Sequence, residues 1–381
     1  MKKSDGLQRS PFWLRRPRLL LEGFRVDRDS PDIPALQALE PAERYVWGVL
    51  PHAARSFAPC ILALPSTMAL PAALGYLYCR ILDTHEDLIE DETKRRRALE
   101  HVCQRVRDLS AGATPCAAPG AEHTTKDPRD EVHVMIARNI RKLDVLFLAV
   151  GSDEQRLILE LVEDMAEGML WASDAFEAQG GVLSGEQQVR RYCEAVLGNP
   201  ILFAARLYEQ KKSPPAGRPL KMREACMDVG EFLQLANVTR DIEKDLARGV
   251  AYDETLRPHL GQAPDDAAKP RIQALRLKLL VRALSLAPAY LELVTALKIR
   301  PGWMAASSLI MARFTERYYL NCAARAGVNA PRPASAQIAL TGCWPALFSS
   351  AWAIKGLEAM RLRQLSLREE SSSYASSMNL S

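Results

Sequence analysis

Residues 78–92, YCRILDTHEDLIEDE, carry six acids between Asp83 and Glu92, directly after a largely apolar run. Asp83 and Asp87 are four residues apart, which on a helix puts both carboxylates on one face, a turn from each other. Like charges so placed repel by roughly a few tenths of a kcal/mol, a penalty that a cation removes. A second stretch, FLQLANVTRDIEKDLARG at 232–249, repeats the spacing with Asp241 and Asp245. Gln234, Asn237 and Asp241 continue a polar stripe among Phe232, Leu233, Leu235, Ala236 and Val238, an arrangement that needs partners, water or metal. Each acid pair has an arginine beside it: Arg80 three residues before Asp83, and Arg240 directly before Asp241. One such pair is ordinary helix surface; two on separate helices, each in apolar company, are not.

Hard divalent cations such as Mg2+ prefer oxygen ligands, retain waters and bridge carboxylates to phosphate oxygens. Two aspartate walls across a helical cavity would hold a metal–diphosphate unit, with arginines on the non-bridging oxygens. That arrangement stabilises a diphosphate leaving group while a carbon–oxygen bond breaks, which yields an allylic cation from a prenyl-like substrate. The Leu-, Ile-, Met- and Phe-rich segments between the acid clusters would keep water from such a cation, although any helical core uses the same residues.

Other chemistries fit poorly. The six histidines are scattered and no compact Cys/His set offers a zinc site. No P-loop, nucleophile elbow or dinucleotide glycine fingerprint falls in a strand-to-helix setting. A net charge of +4 is too mild for a nucleic-acid protein. The excess is concentrated in residues 1–25, where seven Lys or Arg face Asp5 and Glu22. This arm reads as a partly ordered, solubilising terminus, or as contact with an anionic membrane assisted by Phe12, Trp13 and Leu14. The eight cysteines lack a CxxC pair and read as buried thiols of a reducing, cytoplasmic setting. No stretch reads as a spanning helix; residues 338–356 come nearest, but Pro345 and Lys355 interrupt them and peripheral membrane contact stays open.

The elements that must carry these residues are helices, since a 3.6-residue period dominates and strand alternation is nearly absent. Helices are expected at about 40–58, from 65 into the first acid cluster, 93–110, 130–149, 152–178, 184–211, 219–247, 270–298, 301–325 and 337–366. A loop fills 110–128, and the last thirteen residues read as a frayed tail. The layout divides into a basic arm at 1–39, a catalytic domain at 40–330, and a C-terminal helix with a flexible tail at 331–381.

Several of these segments resemble the squalene/phytoene synthase family, which joins two prenyl diphosphates head to head. ARSFAPCILALP, from Ala54, is similar to the family's early Arg-Ser-Phe segment through Arg55, Ser56 and Phe57. YLYCRILDTHED resembles its first aspartate motif, with Tyr76, Arg80, Asp83 and Asp87 on matching positions. DMAEGML at 164–170 is similar to the helix lining the centre, and YCEAVLGNP at 192–200 to the Tyr-Cys segment, with Leu197 in place of alanine. FLQLANVTRDIEKD resembles the second motif, with Lys244 where an acid is common.

The resemblance implies an all-α, single-domain isoprenoid synthase-like bundle around a central cavity. It implies roughly two or three Mg2+ ions on Asp83, Asp87, Asp241 and Asp245. Arg55, Arg80 and Arg240 would engage diphosphate, Ser56 and Phe57 would line the substrate site, and Gln234 and Asn237 would orient water, diphosphate or carboxylates. Tyr76 and Tyr192 would assist proton transfer or stabilise charge near the leaving group, and His85 is expected on the helix surface. The implied reaction joins two farnesyl diphosphates through presqualene diphosphate to squalene. Thr84 and Glu86 within the first motif favour that pattern. The glycine-containing basic stretch associated with NADPH is not found, so the reductive half stays open. Phytoene, dehydrosqualene or unreduced presqualene diphosphate, a single-substrate cyclase and a non-catalytic helical interaction protein remain alternatives. Oligomeric state is not legible.

Overall fold

A computed structural model of the protein describes residues 11–54, 56–116, 125, 127–210 and 219–377. Arg55, expected to bind diphosphate, and residues 117–124 and 126 of the 110–128 loop lie outside the described residues. Among the described residues the fold is all-helical. The β-type pairing is a lone bridge between Val182 and Ala251. The chain forms two compact units, residues 1–166 with 206–208, and residues 167–205 with 209–381.

In the first unit, the Ser66–Leu88 helix packs against Ala42–Ala54, Glu92–Ser110, Pro128–Arg138 and Ile140–Phe147. It stops where Ile89 turns extended, and Asp91 caps the next helix by accepting from the Lys94 backbone N–H at 2.7 Å. The back of the Ser66–Leu88 helix is pinned by a buried polar knot. Tyr78 donates to Asp144 Oδ1 at 2.9 Å, and Arg105 Nε donates to Asp144 Oδ2 at 3.0 Å. Removing one member of such a buried pair costs about 3–5 kcal/mol, so the knot resists rotation of the helix. Tyr78 is two residues from Tyr76, about 200° around the helix, so the opposite face is left for the first motif.

The N-terminal arm is more ordered than a solubilising tail. Phe12–Arg25 is helical, Phe12 stacks on Trp47 at 4.8 Å, and fully buried Arg16 donates to the Leu64 carbonyl at 2.7 Å. Phe12 therefore faces inward, while Trp13 and Leu14 stay exposed.

In the second unit, Pro219–Ala247 is a central 29-residue helix, packed against Ala268–Ser285, Ala287–Ala296 and Trp303–Arg325. Several expected helices are broken for local reasons. Asn139 interrupts 130–149 and bonds its own side chain to the Met135 carbonyl. Leu286, followed by a proline in the next first turn, divides 270–298. In place of one helix at 337–366, a short helix Ala336–Thr341 and a 3₁₀ turn Trp344–Leu347 precede a long helix, Ser350–Ser377. That helix runs into the stretch expected to fray, because Ser371 is buried and bonds back to the Leu367 carbonyl at 2.7 Å.

By length and composition, Ala268–Ala296 is apolar enough to cross a membrane, contrary to the sequence reading. Its Leu275, Leu279, Leu280, Ala283 and Leu284 are buried within the protein, as in a core helix.

Candidate functional site

In the first unit, Tyr76, Arg80, Asp83 and Asp87 follow one another at spacings of four, three and four along the Ser66–Leu88 helix, a single stripe. Tyr76 donates its hydroxyl to the Ala53 carbonyl at 3.0 Å and accepts from Arg80 Nη2 at 2.8 Å. Arg80 Nη1 pairs with Asp83 at 3.0 Å, and the guanidinium lies 5.5 Å from the Tyr76 ring centre. Phe57 stands 6.0 Å from the Tyr76 ring, so Phe57 of the early segment meets the first motif here. Ser56 precedes the Phe57–Leu62 helix without capping it through its side chain.

Burial works against the charge on Arg80, yet Tyr76 and Asp83 outweigh it and hold the guanidinium firmly protonated. Asp83 is only 22% exposed; burial lifts its carboxyl from 3.8 to about 6, opposed by Arg80 and reinforced by Asp87. Asp87, a turn further on, is exposed. His85 lies in the interior at 1% exposure, not on the helix surface, because its position falls on the buried side opposite the stripe.

The second unit presents a matching stripe: Gln234, Asn237, Asp241 and Asp245 at spacings of three, four and four on Pro219–Ala247. Asn237 Nδ2 donates to Gln234 Oε1 at 3.0 Å. Arg240 grips Asp241 with both arms, at 2.8 Å from Nε and 2.5 Å from Nη2, and lies 5.4 Å from the Tyr318 ring centre. The hydrogen bond to Asp241 raises the Arg240 pKa further. Lys244 is exposed, three residues beyond Asp241 on the flank of the stripe. Arg276 and Arg325 neutralise neighbouring Glu243, at 2.6 and 3.1 Å, so this acid is structural. The helix ends where Gly249 takes φ +84, and Ala251 N–H then bonds to the Gly181 carbonyl at 2.9 Å, fixing the Asp245 end.

Tyr192 sits half-buried with its ring 5.8 Å from Tyr252. It lies just before a π-helical turn, Glu194–Gly198, in place of the expected uninterrupted helix. Such turns widen a helix locally and recur at functional sites. Two close approaches seat this one. A Cβ on Gly168 would come 2.2 Å from the Ala195 Cβ, and one on Gly230 would come 2.3 Å from the Gly198 Cα. Buried Glu231 is held by Arg282 at 2.7 Å; burial raises its pKa despite that partner. Arg190 ties Glu194 at 2.8 Å to Asp228 at 3.0 Å. Sequence reasoning missed Gly198, Gly230, Glu231 and Arg282. The glycines carried a signal, since each interrupts a helical pattern, but long-range ion partners carried none.

Among the described residues no three His, Cys, Asp or Glu side chains cluster as a preformed metal cage. Each helix instead offers carboxylates in pairs, flanked by an arginine.

An all-helical fold with two aspartate stripes, each with its own arginine, defines the class of isoprenoid synthases. Residues 50–333 match the squalene/phytoene synthase family, and the chain belongs to that family. The match spans both compact units, in agreement with one domain in family terms. Among solved structures, a complex of TcSQS with the ligand BPH1237 is similar at TM-score 0.59 and 19% identity, over 85% of this chain and 92% of that one. Its complex with E5700 gives TM-score 0.57 and 18% identity, over 87% and 99%. At these identities the likeness is one of fold. No curated protein matches the chain.

Proposed function

We propose that this protein is a Mg2+-dependent prenyltransferase that condenses two farnesyl diphosphates head to head through presqualene diphosphate, and on to squalene where NADPH is supplied. The observation that carries the reading is the repeated stripe: Asp83 and Asp87 below Tyr76 and Arg80, and Asp241 and Asp245 below Gln234 and Asn237.

The donor set fits the cation. Mg2+ binds through one or two carboxylates, keeps waters and takes its remaining ligands from substrate phosphates, so paired carboxylates suit it where a closed cage would not. The buried Arg80 Nε, with no hydrogen-bond partner in the protein, adds a donor suited to an anion. Asp83, Asp87, Asp241 and Asp245 would hold the ions. Mg2+, when bound, supplies Lewis-acid stabilisation of the departing diphosphate.

The chain's own groups do the rest. Arg80 and Arg240 hold charge at fixed positions and neutralise diphosphate oxygens, with Arg55 as a further contributor. Gln234 and Asn237, already joined to each other, present an oriented amide pair to water or diphosphate. Ser56 and Phe57 contact substrate near Tyr76. Tyr76 and Tyr192 supply hydroxyls near the leaving group, for proton transfer or charge stabilisation. Ionisation of one farnesyl diphosphate and attack by the double bond of the second forms the cyclopropylcarbinyl skeleton, with loss of a proton and release of diphosphate.

The test supplies farnesyl diphosphate and Mg2+, with and without NADPH, and identifies all products, with geranylgeranyl diphosphate in parallel. A C30 product that requires Mg2+ is expected, shifting from presqualene diphosphate to squalene when NADPH is present. Products limited to C15 compounds would overturn the head-to-head reading, and no consumption of either substrate would overturn catalysis.

A further inference from the structure

Residues 338–352 gather large apolar side chains in water. Ile338 is 61% exposed, Phe348 85% and Trp352 47%, and Trp344 is also exposed. Folding back of the chain holds them together. The Gly342 N–H donates to the Ile338 carbonyl at 3.1 Å, and the Trp352 indole N–H donates to the Gly342 carbonyl at 3.4 Å. Trp344 is braced edge-on against Trp303 at 6.0 Å, and Gly302 N–H bonds to the Ala346 carbonyl at 3.1 Å. The aromatics are thus displayed on a fixed framework. Displaying an almost fully exposed phenylalanine is costly unless something apolar covers it.

Charge says what covers it. No Asp or Glu lies between Glu316 and Glu358, whereas Arg332 and Lys355 do. Arg332 and Lys355 are exposed, and exposed Lys298 and Arg300 flank the Gly302–Ala346 contact. Tryptophans beside a protruding phenylalanine, with exposed Lys298, Arg300 and Lys355 and no acid within residues 317–357, match the interface of an anionic bilayer. There indoles sit at headgroup depth and Lys or Arg meet lipid phosphates.

We propose that residues 338–352 are a docking surface for an anionic phospholipid membrane, with Phe348 inserted among the acyl chains and Trp344 and Trp352 at the headgroup boundary. The surface acts independently of the prenyl-transfer reading and delivers the enzyme to a lipid phase, where long prenyl chains partition.

The experiment is co-sedimentation of the full-length protein with phosphatidylcholine vesicles, with and without phosphatidylglycerol, across ionic strength. Wild-type protein is expected to bind the anionic vesicles and to be loosened by salt. Phe348→Asp should weaken that binding at least about tenfold, the partition value of a buried phenyl group. Because Phe348 is 85% exposed, this variant keeps its fold, which circular dichroism verifies. Lys355→Glu should weaken binding to anionic vesicles and leave neutral ones unaffected. Brominated lipids should quench tryptophan fluorescence in wild type and lose most of that effect in Trp344→Phe/Trp352→Phe. Absence of vesicle binding, unchanged binding by Phe348→Asp, or undiminished quenching in the double variant would each overturn the proposal. So would a concentration-dependent dimer abolished by Phe348→Asp without lipid binding, which would make the patch a protein interface. No arm measures turnover, so failure here leaves the prenyltransferase reading standing.

Discussion

Asp83 is a carboxylate placed where burial makes its charge unwelcome. Burial raises its pKa from 3.8 to about 6, with Arg80 opposing and Asp87 adding to the shift. A carboxyl whose pKa is higher in the folded state supports folding while protonated; that support begins to fade above the unfolded value and is gone above the folded one. Asp83→Asn is therefore expected to melt higher than wild type at pH 8 without Mg2+. The difference should shrink between about pH 6 and 3.8 and vanish below, as read by differential scanning fluorimetry across pH. Added Mg2+ with diphosphate should raise the wild-type melting temperature and move the variant little. In activity the order reverses. Asp83→Asn and Asp241→Asn should stay folded yet lose at least about a hundredfold in product formation, the scale of removing one electrostatic contact from a transition state. Near-normal turnover in either purified variant would end its assignment as a metal ligand. A melting advantage with lost activity is the signature of a site residue; a core residue would lose both.

At the scale of elements, the π turn at Glu194–Gly198 is where helix packing meets Tyr192. Gly230 lets the Pro219–Ala247 helix touch this turn backbone to backbone, since a Cβ there would lie 2.3 Å from the Gly198 Cα. No side-chain rotation relieves that clash, so Gly230→Ala should destabilise by about 2–4 kcal/mol in urea unfolding, whereas ordinary surface changes stay within about 0.5 kcal/mol. Gly112→Ala is the contrast: it disturbs a left-handed backbone, φ +71, but meets no neighbour, and should cost about 1 kcal/mol. An equal loss at the two positions would mean that the contact is not tight. The same turn marks the limit of what sequence discloses. The acid stripes were legible because i, i+3 and i+4 spacing is a local property of a helix. Most helices were legible for the same reason, including Glu92–Ser110 and Ser152–Ala178 nearly to the residue. The breaks at Asn139 and Leu286 were missed although their causes are local, a side chain bonded to the Met135 carbonyl and a first-turn proline, whereas the π turn arises where a helix adjusts to neighbours distant in sequence. His85 was misplaced because an acidic neighbourhood suggests surface, while burial is decided by which helices pack on its face. Glu231 with Arg282 shows the same limit, since the partners are 51 residues apart.

For the whole molecule, the family match ends at residue 333, but the packing does not. The Ser350–Ser377 helix lies against Ala268–Ser285, Ala287–Ala296 and Trp303–Arg325, the helices that also support Pro219–Ala247 and its aspartates. Leu357, Met360 and Leu367 on its inner face are 0%, 1% and 5% exposed. Burying three such side chains contributes about 5–9 kcal/mol, comparable with the roughly 5–15 kcal/mol that separates a typical folded domain from its unfolded chain. The C-terminal helix, set apart from the catalytic domain at residue 330 by the sequence pattern, is energetically part of the unit that carries Asp241. Leu357→Ala should therefore cost about 2–5 kcal/mol, while Leu362→Ala, 60% exposed on the same helix, should change stability by no more than about 0.5 kcal/mol. Deleting residues 350–381 should remove the cooperative unfolding transition of this unit and all activity together, instead of leaving a folded, active remnant. Circular dichroism melts and the farnesyl diphosphate assay on the same preparations decide it. A truncated protein that still melts cooperatively and turns over substrate would show that the helix is an accessory to the fold instead of one of its walls.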